Sequence, residues 1–254
     1  MPIVMVALLL AALQPSGAKS LQVSQPVSVV ELDTGKLKGE PTQLGWSPDG
    51  SKFLLQMSDH DAQGMVRNPH VFVIDASGGK PQPVETAPEW ATSYWAWKSN
   101  KFAPGSNTFA IDIKQEIKSG IATSSPMGGS LARGGSAFNP DGGTSVDDVS
   151  MRAQQMQKQL VITLTLKNEV VGEFVNQQFL PGYTFGWAPQ PLSMIAYCTQ
   201  TGHMAVMDEQ GQKQELAGTR DAILPAWSAD GSRIAYLQKT GKKKYTLRVM
   251  DIKQ

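Results

Sequence analysis

Chemistry needs converging groups, and this chain offers few. It holds three histidines, His60, His70 and His203, and a single cysteine, Cys198. The densest set of potential metal ligands is Asp59-His60-Asp61. Successive side chains on a strand point to opposite faces, so these neighbours cannot all reach one ion. No second ligand cluster accompanies them, and the triplet reads as a solvated polar loop before Gly64. His203 opens a strand and reads as a packing or edge residue. Asp147-Asp148 are adjacent carboxylates, a poor arrangement for acid–base work across a substrate. No Gly-x-Ser-x-Gly elbow occurs. The runs Gly128-Gly129 and Gly134-Gly135 lack the Gly-Lys-Ser/Thr ending of a phosphate-binding loop. Cys198 follows the apolar stretch 194–197 and reads as an inert, partly buried thiol. These residues predict no catalytic constellation, no metal and no cofactor.

Aromatic and basic clusters remain as binding candidates. Trp90, Tyr94, Trp95 and Trp97 crowd one segment. On a strand, Tyr94 and Ala96 share one face while Trp95 and Trp97 take the other, so all cannot be buried equally. Such a patch can hold a peptide or a carbohydrate ring, or it can pack between structural units. Lys242-Lys243-Lys244, with Lys239 nearby, follows Gly241 and reads as a solvated hairpin tip. Contact with a polyanion or an anionic headgroup is its other reading. The formal net charge of +1 argues against a dedicated nucleic-acid binder.

The elements that must position these residues announce themselves by repetition. Trp46-Ser47-Pro48-Asp49-Gly50 returns as Trp227-Ser228-Ala229-Asp230-Gly231. Each is followed by a charged residue and an apolar strand, Phe53-Leu54-Leu55 or Ile234-Ala235-Tyr236. Ser, Pro, Asp and Gly each suit their place in a type I turn, so the Asp and Gly are explained by backbone geometry. Trp46, Trp187 and Trp227 then read as packing between repeats. Second strands ending in Asp follow at 71–75, 203–208 and 247–251, and 27–33 belongs to the same set. Weaker copies begin at Phe102, Phe138 and Trp187. The five anchors lie 36 to 56 residues apart, near the roughly 40–50 residues of a four-stranded propeller blade.

This pattern, aromatic-Ser-Pro-Asp-Gly-x-Lys/Arg followed by an apolar strand and then a strand ending Val-Met-Asp, resembles the WD-type β-propeller repeats of the TolB family. The likeness covers most of the chain after residue 26 and fits poorly from about 114 to 158. It departs from full-length members in showing no separate N-terminal α/β domain before the first repeat. The resemblance implies a bacterial periplasmic propeller that works by binding other proteins.

The expected architecture is all-β: about five or six four-stranded antiparallel blades over residues 19–254, following a signal peptide at 1–18. The apolar run 3–13 is far shorter than the roughly 20 residues of a membrane span, and small residues Ser16 and Ala18 suit a cleavage site. Residues 119–157 read as an insertion within one blade. It begins with a Gly/Ser/Pro-rich loop, and a helical pattern with an acidic start covers 146–158. It supplies recognition contacts, or it is a plain surface loop. The last strand ends at Asp251 with no outer strand after it, so the N-terminal segment, at 27–32 and 37–42, is expected to complete that blade and close the ring. The functional expectation is a non-enzymatic exported scaffold, a monomer or a subunit of a larger complex, that binds an envelope protein or peptide. The alternative is an extracytoplasmic carbohydrate-active or hydrolytic propeller with a site in its central funnel.

Overall fold

The computed structural model describes residues 21–60, 66–90, 111–121, 156–175 and 184–253. The signal peptide expected at 1–18 lies outside them. Strands β1 (Gln22–Val23) and β2 (Val27–Asp33) lead into the one-turn helix α1 (Thr34–Leu37). The first blade is β3 (Glu40–Trp46), β4 (Lys52–His60), β5 (Val66–Asp75) and β6 (Gln82–Val84). The second is β7 (Asp112–Ile121), β8 (Met156–Leu166) and β9 (Glu169–Val175). The third is β10 (Phe185–Trp187), β11 (Met194–Cys198), β12 (Met204–Asp208) and β13 (Lys213–Glu215). The fourth carries β14 (Ala222–Trp227), β15 (Arg233–Gly241) and β16 (Lys244–Lys253). All are antiparallel sheets of a β-propeller, and β14 packs beside both β3 and β10, so the three are the innermost strands of adjacent blades.

The continuous apolar runs in the sequence follow from this stacking. A blade is covered on both faces, so inward and outward residues of one strand are both buried. Phe53 and Leu55 of β4 join a core shared with Ala235 and Leu237 of β15. The alternate residues Ile234 and Tyr236 turn the other way and pack with Ala196 and Val206 of the third blade. Ile195 and Tyr197 face Leu164 and Phe174 of the second blade. One strand therefore serves two cores.

The described residues form four blades, not the five or six expected from repeat spacing. The reason is the second blade. β7 and β8, which flank the Phe138 copy in sequence, pair with each other out to Ile121↔Met156 and so belong to one sheet. Both the Phe138 copy and the Phe102 copy lie outside the described residues. The pairing also corrects the boundaries of the insertion, because residues 119–121 and 156–157 belong to the ladder. The helix expected over 146–158 is contradicted at 156–158, where cross-strand pairing overrides the local helical pattern; the rest of it is outside the described residues. Leu37, expected to begin a strand, instead closes α1.

The N-terminal strands sit on the C-terminal blade. β2 pairs with β16 from Asp33↔Lys244 to Val27↔Val249, and β1 continues along the same strand at Val23↔Ile252. Leu32 is buried in the core between the first and fourth blades. The link is reinforced at its far end, where the Gln214 side-chain amide exchanges two 3.0 Å hydrogen bonds with the backbone of Leu21.

Candidate functional site

The two ends of the blades differ in chemistry. One end carries the repeated turns, and their hydrogen bonding is nearly identical. Ser47 Oγ donates to Asp49 Oδ1 at 2.5 Å, Ser51 Oγ donates to Asp49 Oδ2 at 2.7 Å, and the Lys52 amide donates to Ser47 Oγ at 2.9 Å. In the fourth blade Ser228, Asp230, Ser232 and Arg233 repeat these contacts at 2.5, 2.7 and 3.0 Å. Hydroxyl donors, first Ser47 and then Ser51, favour the charged carboxylate and hold the Asp49 pKa down at about 2. Asp230 is lowered to about 2 by Ser228 and Ser232 in the same way.

The tryptophans preceding these turns join one blade to the next. Trp46 Nε1 donates to the Ala226 carbonyl at 3.0 Å, and Trp227 Nε1 donates to the Gly186 carbonyl at 3.0 Å. Each acceptor is the residue just before the tryptophan of the neighbouring blade, Trp227 or Trp187. Trp46, Trp187 and Trp227 are all buried. The Arg233 guanidinium lies 4.5 Å over the Trp46 ring. Gly50 has φ +68°, and a Cβ there would stand 2.6 Å from Arg233 Nη2; Gly231 lies against Leu192 and Pro189 of the third blade in the same manner. These groups are consumed by the scaffold.

The opposite end presents a groove along the N-terminal segment, lined on one side of α1 by the fourth blade and on the other by the first blade and the fourth blade's hairpin tip. It is built where α1, the start of β3, the end of β4 and the β15–β16 turn meet. Two cavities lie there, about 470 and 460 Å³. Glu31, Asp33, Lys36, Lys244 and Tyr245 line the first; Glu40, Ser58, Asp59 and Lys243 line the second. The Thr34 amide donates to the Lys243 carbonyl at 2.9 Å and pins α1 to the hairpin tip. Tyr245 Oη donates to Glu40 Oε2 at 3.3 Å, and Asn68 Nδ2 donates to Asp59 Oδ2 at 3.4 Å. Neutral donors thus orient both carboxylates. Glu31, Asp33, Lys36, Glu40, Asp59, Lys243 and Lys244 form no ion pair among the described residues. The groove therefore offers interspersed carboxylates and ammonium groups to whatever enters it.

The other candidate residues are placed as follows. Trp90 is half-buried against the cluster of Leu54 and Val71 on the face of the first blade turned away from the fourth. Tyr94, Trp95 and Trp97 lie outside the described residues, as do Asp61 and Asp147-Asp148. His70 Nε2 meets the Lys38 carbonyl. His203 Nδ1 lies 3.6 Å from Glu215 Oε1. Among the described residues no group of His, Cys, Asp or Glu converges as a metal site. Cys198 Sγ donates to the Ala222 carbonyl at 3.0 Å. Of the lysine cluster, Lys243 and Lys244 reach the groove. Sequence reasoning missed Glu31, Asp33, Lys36, Glu40 and Tyr245 as groove residues. Their only signal was the expected meeting of the N-terminal strand with the last one.

No protein-family model matches the sequence, and no characterised protein matches it by sequence. Solved structures resemble it only distantly. An oligogalacturonate lyase in complex with manganese is 10% identical over 85% of this chain and 48% of its own, with a TM-score of 0.23. Sqt1 from Chaetomium thermophilum is 15% identical over 86% of this chain and 44% of its own, with a TM-score of 0.22. An oligogalacturonate lyase from Vibrio parahaemolyticus is 8% identical over 79% of this chain and 46% of its own, with a TM-score of 0.22. The chain spans less than half the length of each, and its propeller architecture rests on its own strand ladders.

Proposed function

We propose that this chain is an exported, TolB-like propeller scaffold of the bacterial envelope, non-enzymatic, with its ring closed by the N-terminal strands, and that it holds an extended segment of a partner protein. The observation that carries the reading is the groove along the N-terminal segment, where two adjoining cavities are lined by carboxylates and ammonium groups that form no ion pairs with one another. A peptide of mixed charge satisfies both signs at once, and such complementarity governs specificity and encounter rate. The Tyr245 ring is buried beneath these groups and its hydroxyl holds Glu40 in place.

The test is selection of peptides from an unbiased library on the intact chain. Selected peptides should carry both acidic and basic residues and lose affinity by about tenfold, ~1.4 kcal/mol, in a Lys36→Glu, Lys244→Glu variant. Peptides that bind the variant unchanged would sink the groove assignment. Turnover of a peptide or polysaccharide by the chain would sink the non-enzymatic reading.

A further inference from the structure

The join between the N-terminal strands and the rest of the chain is strained. Lys38, between α1 and β3, has φ 57° and ψ 107°, outside the left-handed well that non-glycine residues occasionally occupy. Gly39 follows with φ +106°, and a Cβ there would stand 2.7 Å from the Ser58 carbonyl oxygen. His70 of β5, two strands away in the first blade, meets the Lys38 carbonyl and holds this conformation. Residues kept in sparsely populated backbone regions persist only when their surroundings impose them.

The segment beyond the hinge is held by backbone pairing and by a few apolar side chains. Of β2, only Leu32 is fully buried, while Val27 is 65% exposed. Val29 and Val30 are half-buried against the same core as Leu32, Leu21 and Val23 pack on the core that holds Trp227 and Met250, and the polar anchors are the Gln214–Leu21 pair, Ser24 with Asp251, and Thr34 with Lys243. Every one joins residues far apart in sequence, so the same segment from another molecule would make them equally well. A short strained hinge joined to an exchangeable strand is the arrangement that favours swapping between copies.

We infer that residues 21–37 exchange between two copies of this chain, each N-terminal segment docking on the partner's β16 as the Lys38–Gly39 hinge straightens. The partner is a second copy, because only that segment reproduces the β2 register, the buried Leu32 and the Gln214 clamp together.

Glu31 and Thr246 face each other across the β2–β16 ladder. In a Cys198→Ser background, full-length chains carrying Glu31→Cys alone are mixed with chains carrying Thr246→Cys alone and incubated below the onset of melting. A disulfide between these positions can then form only between copies. The expected result is a covalent dimer that accumulates with concentration, and that falls several-fold when Lys38→Gly relieves the hinge in both chains. A control pairing Glu31→Cys with Ser51→Cys, at the far end of the blades, should give no such dimer. The inference is overturned if the control dimerises equally, if Lys38→Gly leaves the yield unchanged or raises it, or if no covalent dimer forms. Mass measurement of the unsubstituted chain gives an independent reading, and a strict monomer at every concentration also overturns it.

Discussion

Asp49 and Asp230 work as turn fasteners, each gripped by two serine hydroxyls and a backbone amide. Their folded pKa values, about 2 against an ordinary 3.8, set the sign of a pH effect. A depressed carboxylate stabilises the fold above its unfolded pKa, and that stability is lost as the pH falls toward the folded value. An Asp49→Asn, Asp230→Asn variant should therefore melt below the parent at neutral pH. The gap should close as pH drops from 3.8 toward 2; thermal melts across that window check it, and a constant gap would contradict it. The tryptophans give a second residue-scale expectation. Trp46→Phe keeps an aromatic ring but leaves the buried Ala226 carbonyl without its 3.0 Å donor. Denaturant unfolding should show a loss of about 1–3 kcal/mol, and Trp227→Phe should do the same through Gly186.

At the scale of elements, the N-terminal strands matter more than their small buried area suggests. β2 covers the edge of β16 and brings Leu32 into the core between the first and fourth blades. Removing residues 21–33 should replace a single cooperative melt by a broad transition, measured by circular dichroism or calorimetry. A truncated chain that melts as sharply as the parent would refute the role. Gly39→Ala should cost more than about 1 kcal/mol, because its φ of +106° and its approach to Ser58 leave no room for a side chain. Most of this layer was legible in the sequence: strands at 52–55, 194–197 and 234–236, and the meeting of residue 27 with the last strand. The register of β7 on β8 was not, because helix formers at 156–158 gave a local signal that only the cross-strand partners 119–121 override.

At the scale of the molecule, four blades place the sequence's strongest motif and its candidate site at opposite ends. The Trp-Ser-Pro-Asp-Gly turns are spent on joining blades, whereas the groove assembles Glu31, Lys36 and Glu40 with Lys243 and Tyr245, about two hundred residues later in the chain. No local spacing rule finds a site whose two halves are joined only by the fold, and for that reason the repeat was readable and the groove was not. The central claim is that this groove is where the partner binds. A photoreactive residue placed at Lys243, and separately at Ser232 on the turn end, tests it directly in the cells that make the protein. The expected result is a discrete adduct from position 243 that disappears in the Lys36→Glu, Lys244→Glu variant, with none from position 232. Identical adducts from both positions, or an adduct from 243 that survives the charge reversal, would contradict it.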